Sequence, residues 1–163
     1  MIVLSLVLFA ILLCFGFVLL FGAPYLPTLK PQVRAALELA NVKPGETLLE
    51  LGCGDGRMLL AAAHVGVKSV GYELNPILAL IAWLRTIKHR QMITIIWGDF
   101  WRQPWPETEA IFVFLLPKYM KKLDTKVMQY KHKPVKVTSF AFEIPGKTPA
   151  AVRDGVFLYE YDL

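Results

Sequence analysis

The first charged side chain of this 163-residue chain is Lys30. No Lys or Arg therefore precedes the apolar run Ile2 to Gly22, IVLSLVLFAILLCFGFVLLFG. A cleaved secretory signal would carry a basic start, and APYLPT, which follows the run, offers no small-x-small cleavage site. An Arg-rich presequence of the mitochondrial kind is missing as well. Cysteine is scarce: Cys14 lies in the apolar run and Cys53 in a glycine loop, which excludes a disulfide framework and fits a reducing compartment. His64, His89 and His132 are scattered, with no metal-ligand spacing and no carboxylate partner for nucleophilic chemistry. No metal site is expected. Internal repeats and low-complexity segments are also lacking.

The composition is 55% hydrophobic and only 19% charged, too apolar for an ordinary soluble domain. The excess sits at the N-terminus. As a helix, Ile2 to Gly22 would cover the roughly 30 Å hydrocarbon core of a bilayer, and the rest of the chain is too small to enclose so long an apolar segment. A single transmembrane anchor is expected over residues 1–22, with a connector and short helix over 23–45 and a globular domain over 46–163. The whole net charge of +5 belongs to the part after the anchor. Lys30, Arg34 and Lys43 flank it, so a single-pass membrane protein with its globular domain on the cytoplasmic side is expected.

Beyond Pro24 and Pro27, which interrupt the helix, Pro31 to Asn41 reads as a short helix with Val33, Ala36, Leu37 and Ala40 on one face. Strand-like and helix-like segments then alternate. Strands are expected at 47–51, 68–74, 93–97, 110–116, 135–142 and 156–162, and helices at 57–65, from the Asn75-Pro76 cap to 89, and at 118–130. Strands this apolar, alternating with helices, imply an α/β fold with a parallel sheet covered on both faces.

Between the first strand and its helix stands LELGCGDGR, Leu49 to Arg57. Gly52, Gly54 and Gly56 let the loop turn tightly and let its backbone meet a ligand closely. Alone, such a loop also suits a dinucleotide or a turn with no ligand. Its companions are acids at strand ends. Glu73 ends the second strand, where a carboxylate can accept from both hydroxyls of an adenosine ribose. Asp99 ends the third, in WGDF, where it could accept from an adenine amino group with Phe100 beside the ring. Glu50 ends the first, where the ammonium of a bound amino acid would sit. Singly, each acid could be a solvated strand end. Together they would repel a pyrophosphate and favour a cationic, phosphate-free nucleoside, which points to S-adenosylmethionine.

LLELGCGDGR, VGYELNP, IIWGDF and IFVFLLP resemble, in order, the four motifs of the class I, seven-β-strand methyltransferases. More narrowly, an apolar helix followed by PYLPT, ELGCGDGR, GYELNP and FLLP resembles the small membrane-anchored protein lysine methyltransferases. Mitochondrial members of that family modify the c-subunit of ATP synthase and the adenine nucleotide translocase. The resemblance runs from the anchor to Asp162 and implies a Rossmann-like sheet. It further implies that Tyr25, Pro27 and Thr28 help close the cofactor site, and that Leu74, Asn75 and Phe114 join Glu50, Gly52, Cys53, Gly54, Gly56, Glu73, Asp99 and Phe100 around S-adenosyl-L-methionine. Cys53 and Glu50 stand where the family more often has Ser and Asp. The short tail after Pro145 suggests that the last two strands are reduced.

The implied reaction is an in-line displacement, in which the protein aligns a neutral amine and excludes water. Leu115, Leu116 and Pro117 of FLLP are the expected walls of the acceptor channel. The expected acceptor is an accessible lysine of a membrane protein. A lipid or quinone acceptor, or a non-catalytic protein keeping the fold, stays open. Nucleic acid is not expected, since FLLP lacks the Asn/Asp-Pro-Pro-aromatic pattern used on planar base nitrogens. Lys118 to Lys136 holds seven lysines and one acid, Asp124. It reads either as a solvated helix face or as a patch for anionic lipid. The linker FWRQPWPET is too short for a full helix, and its Trp101 and Trp105 suit either a membrane interface or the adenine.

Overall fold

The computed structural model describes residues 26–132 and 134–162, with isolated positions 2, 4, 5, 8, 9, 12 and 16. Most of the expected anchor, and Tyr25, lie outside the described residues. Among the described residues no helix is long and apolar enough to cross a membrane.

The elements run α1 (Lys30–Ala40), β1 (Thr47–Leu51), α2 (Arg57–His64), β2 (Lys68–Glu73), α3 (Pro76–Arg85), a turn of 3-10 helix (Ile87–His89), β3 (Ile93–Trp97), β4 (Ala110–Val113), α4 (Pro117–Met128), β5 (Val135–Phe140), β6 (Ala151–Arg153) and β7 (Val156–Tyr161). They build one seven-stranded sheet in the order β3-β2-β1-β4-β5-β7-β6. The sheet is mixed. β1 to β5 are parallel, while β7 runs antiparallel to β5 and to β6. This corrects the expectation of a wholly parallel sheet. Asp154 and Gly155 both take positive φ, 51° and 73°, and form the two-residue turn that folds β6 back onto β7. Of the two strands expected to be short, β6 has 3 residues and β7 has 6.

Side chains alternate across the sheet, as the two-residue period of a strand requires. Leu49, Leu51, Ile111 and Val113 face Met120, Leu123 and Val127 of α4. Leu48, Ala110 and Phe112 face Val33 and Ala36 of α1 and Met58 and Ala62 of α2. No helix forms in the described chain between β3 and β4. Trp105 fills that place: it is buried beside Tyr130, and its indole N–H donates to Phe100 O at 2.9 Å. Trp105 is thus a core residue.

α3 begins where Asn75 Oδ1 accepts from the N–H of Ile77 (2.9 Å) and of Leu78 (3.3 Å), with Pro76 in the first turn. It stops at Arg85, short of the expected His89. Thr86 Oγ1 donates back to Ala82 O at 2.8 Å, and the chain tightens into the 3-10 turn. In the strand order, β1 leads to β2 on one side and β4 on the other. The strand order reverses there, and the crevice where ligands of this architecture bind lies outside the carboxyl ends of these strands.

Candidate active site

At that crevice lies a cavity of about 800 Å³. Its floor is the glycine loop. Gly52 and Gly54 have φ of 90° and 53°, which a side chain would strain. The N–H groups of Gly52 and Cys53 both donate to Tyr72 O, at 2.9 and 2.8 Å, clamping the loop to β2. The clamp needs Gly71: a Cβ there would lie 2.6 Å from Leu59 Cδ1 and 2.7 Å from Cys53 Cβ.

Glu73 secures the other side of the loop. Its Oε2 accepts from Gly54 N–H and its Oε1 from Asn75 N–H, each at 2.8 Å. Each carboxylate oxygen keeps a further lone pair. Burial pushes the Glu73 carboxyl up, and the backbone bonds from Asn75, Gly54 and Leu74 oppose this. Glu50 is 5% exposed, and its Oε2 has no hydrogen-bond partner among the described residues. Burial above all, then the charges of Glu73 and Asp55, hold its carboxyl well above the usual range, while Arg57 pulls the other way. The thiol of Cys53 is raised by burial first and by Glu50 and Glu73 next. It is therefore a packed, inert group.

Asp55 balances its own charge. It pairs with Arg57, whose Nη2 lies 2.8 Å from Oδ2, and with Arg85. Arg57 Nη1 also donates to Thr28 O at 3.1 Å, which ties the segment before α1 to the glycine loop. Asp99 Oδ1 accepts from Trp101 N–H at 2.9 Å, and Oδ2 lies 3.5 Å from Arg102 Nε.

Most of the residues singled out from the sequence meet in this cavity. Thr28, Glu50, Gly52, Cys53, Gly54 and Glu73 line it. So do Leu74, Asp99, Phe100, Phe114, Leu115 and Leu116. Gly56, Asn75 and Pro117 lie outside the lining. Gly56 lets α2 and α3 touch, since a Cβ there would sit 3.3 Å from Ala82 Cβ and from Thr86 Cγ2. Asn75 is buried as the cap of α3, and Pro117 starts α4.

Sequence reasoning missed an aromatic wall. Tyr119, Phe142 and Lys122 join Phe100 and Trp101 in the lining. Trp101 lies 4.6 Å from Phe100 and 6.0 Å from Tyr119 between ring centroids, with Lys122 Nζ 4.3 Å above its own ring. One helical turn of α4 separates Tyr119 from Lys122, a spacing that points both at one neighbour once the helix start is known.

The lysine-rich stretch does not form one patch. Lys126 Nζ donates to Trp101 O at 2.9 Å and lies 4.9 Å over the Trp105 ring. Lys136 Nζ donates to Ala40 O at 3.1 Å, on the face of the sheet that carries α1. Lys133 lies outside the described residues. Lys118, Lys121, Lys122 and Lys131 stay exposed.

Glu50 and Glu73, with no ion-pair partner among the described residues, thus border a largely apolar cavity whose bases are engaged elsewhere: Arg57 by Asp55, Arg102 by Asp99, and Lys122 over the Trp101 ring. Such a site disfavours phosphate and favours a cation with an apolar body.

The comparisons with known proteins agree with this geometry. Residues 50–151 match the family model described as the ANTKMT methyltransferase domain. The ATP synthase c-subunit lysine N-methyltransferase of Xenopus laevis is 30% identical over 146 residues, covering 86% of this chain. The chain spans only 63% of that relative's length. The protein-lysine N-methyltransferase of Saccharolobus islandicus is 33% identical over 133 residues, 79% of this chain and 83% of the relative. Among solved structures, an RNA methyltransferase from Salinibacter ruber, in complex with S-adenosyl-L-homocysteine, superposes with a TM-score of 0.78. That structure is 28% identical and matches 84% of this chain and 94% of its own.

Proposed function

Because the chain belongs to the ANTKMT methyltransferase domain family, we propose that it is an S-adenosylmethionine-dependent methyltransferase whose acceptor is a lysine side chain of a membrane protein. One observation carries the reading: the Glu50 carboxylate oxygen, buried at the cavity without a partner among the described residues. A buried acid held this way is costly unless a cation completes it. The ammonium of the cofactor's methionine part is such a cation.

Bound there, the cofactor supplies an electrophilic methyl group on a sulfonium, with the leaving group already built in. Glu50 would hold the ammonium, Glu73 the ribose hydroxyls through its remaining lone pairs, and Asp99 with Phe100 the adenine. Thr28, tethered to Arg57, closes the site from the N-terminal side. Leu115 and Leu116 wall the acceptor channel, with Pro117 setting the direction of α4 behind them. Their apolar surface, with Trp101 and Phe142, excludes water and favours the neutral form of an incoming lysine amine. No general base is needed when alignment supplies most of the rate.

The membrane location rests on the apolar run Ile2 to Gly22. Its described large apolar residues, Ile2, Leu4, Leu8, Phe9 and Leu12, are helical and more than half exposed. The basic flank Lys30, Arg34 and Lys43 favours a cytoplasmic catalytic domain. A second reading, an RNA acceptor, is favoured by the Salinibacter ruber structure.

The test is to incubate the detergent-solubilised chain and cofactor labelled in its methyl group with host membranes and with RNA. Label in protein, released as methyl-lysine on hydrolysis, supports the lysine reading. Label confined to RNA, or to lipid or quinone, overturns it.

A further inference from the structure

α3, PILALIAWLR, is apolar on every side up to its terminal Arg85, yet the described residues cover only one side of it, through Leu78, Ala79 and Ala82. A helix that is hydrophobic all round belongs in a core or against lipid. The uncovered side carries Leu80 (56% exposed), Ile81, Trp83 and Leu84 (53% exposed), and Ile87 follows in the 3-10 turn. Trp97 extends this surface. It is 67% exposed, and its indole N–H donates to Leu74 O at 3.1 Å.

The charges on the segment that carries the surface have one sign. No acidic residue occurs between Glu73 and Asp99, whereas Arg85, Lys88 and Arg90 are basic. Arg85 is engaged by Asp55. Arg90 lies 4.0 Å over the Trp83 ring, a guanidinium and an indole stacked at the edge of an apolar face. Exposed Trp beside Lys and Arg, bordering aliphatic residues, is the composition of a helix lying in a membrane interface. The surface meets the cavity through Leu74, which lines it and whose carbonyl accepts from Trp97; Leu26, where the described chain resumes after the apolar run, lines it too.

We propose that the outward face of α3, with Ile87 and Trp97, lies in the headgroup and acyl boundary of an anionic bilayer and holds the cavity mouth against the membrane. The face acts as a second contact beside the N-terminal anchor. It offers a lipid contact separate from the lysines of Lys118 to Lys136, for which the sequence leaves a solvated face and a lipid patch both open. The inference rests on the membrane location proposed above but requires neither cofactor nor methyl transfer.

The test uses the full chain reconstituted into phosphatidylcholine vesicles with and without phosphatidylglycerol, with bromine placed on the acyl chains as a tryptophan quencher. Quenching is expected, stronger in anionic vesicles, and mostly lost in the W83F/W97F double variant, because Trp105 is buried in the core and Trp101 sits half-buried in the cavity wall beneath Lys122. Leu80→Glu with Leu84→Glu should abolish it while the chain still floats with the vesicles, and Lys88→Glu with Arg90→Glu should remove its dependence on anionic lipid. Circular dichroism and cofactor titration check that each variant is folded. Quenching that persists in W83F/W97F overturns the proposal, as does its absence in the wild-type chain. Efficient disulfide cross-linking of two copies through Leu84→Cys would do the same, since it would assign the face to a dimer. Quenching without cofactor binding would leave the membrane contact standing and remove the methyltransferase reading.

Discussion

Glu73 Oε2 accepts the N–H of Gly54 at 2.8 Å, so the acid that ends β2 fixes the middle of the glycine loop that follows β1. Its other oxygen holds Asn75 N–H at the start of α3. Glu73→Gln keeps one acceptor and turns the other into a donor facing a backbone N–H. Stability should fall by about 1–2 kcal/mol for the unmet amide, seen as a lower Tm. Affinity for S-adenosylhomocysteine, read by calorimetry, should fall at least about tenfold, about 1.4 kcal/mol.

Glu50 gives a pH signature. Its folded carboxyl lies well above the ordinary 4.5, from burial first and the neighbouring acids next. As pH rises past the unfolded value, the unfolded chain releases a proton that the folded chain keeps, so stability declines with pH. The contribution is complete below the unfolded value and lost as pH passes upward through the folded one. Glu73 shifts in the same direction, so Glu50→Gln should flatten the decline without abolishing it. A cationic ligand prefers the ionised carboxylate. Its affinity should therefore rise with pH across the same window in the wild type and stay lower and flatter in Glu50→Gln. Urea unfolding and ligand titration across pH measure the two trends.

Gly71→Ala tests the packing beneath the loop. The added methyl would sit 2.6 Å from Leu59 Cδ1 and 2.7 Å from Cys53 Cβ. Overpacking of this kind costs about 1–3 kcal/mol. The Tm should drop and cofactor affinity with it, since relief requires moving the loop. Unchanged values for both would contradict the clamp.

Leu116→Asp separates binding from transfer. Leu116 is the N-cap of α4 and has no capping side chain, a position where Asp is favoured. The fold should survive, while a charge in the acceptor channel should abolish methyl transfer and leave cofactor affinity within about twofold. Retained turnover would remove FLLP from the acceptor channel.

The succession of strands and helices along the chain and the acids near the strand ends were legible because strong local signals carried them. Apolar runs of strand length and the Asn75-Pro76 cap fix their backbone without help from afar, and the glycine loop announces itself by composition although β2 holds it in place. The antiparallel hairpin has a signal of the same strength in Asp154-Gly155, flanked by VR and VF, but β6 is only 3 residues long, too short for a strand pattern to show. The partners of Asp55 were not legible. Arg85 reaches it from α3 across 30 residues, a distance no spacing rule covers. The aromatic wall escaped for the same reason, since Phe142 and Trp101 meet only through the fold. The fates of individual lysines were not legible, because charge in one dimension says nothing of face: Lys126 and Lys136 spend their ammonium groups on backbone carbonyls on opposite sides of the sheet.

Buried acid with no ion-pair partner among the described residues selects a cationic, phosphate-free nucleoside. Calorimetric titration of the detergent-solubilised full chain with S-adenosylmethionine and, separately, with NADH tests it most directly. Saturable one-to-one binding of S-adenosylmethionine, weakened in Glu50→Gln, with no heat from NADH, is the predicted result. Binding of NADH in the same cavity, or S-adenosylmethionine affinity indifferent to Glu50→Gln, would contradict the account.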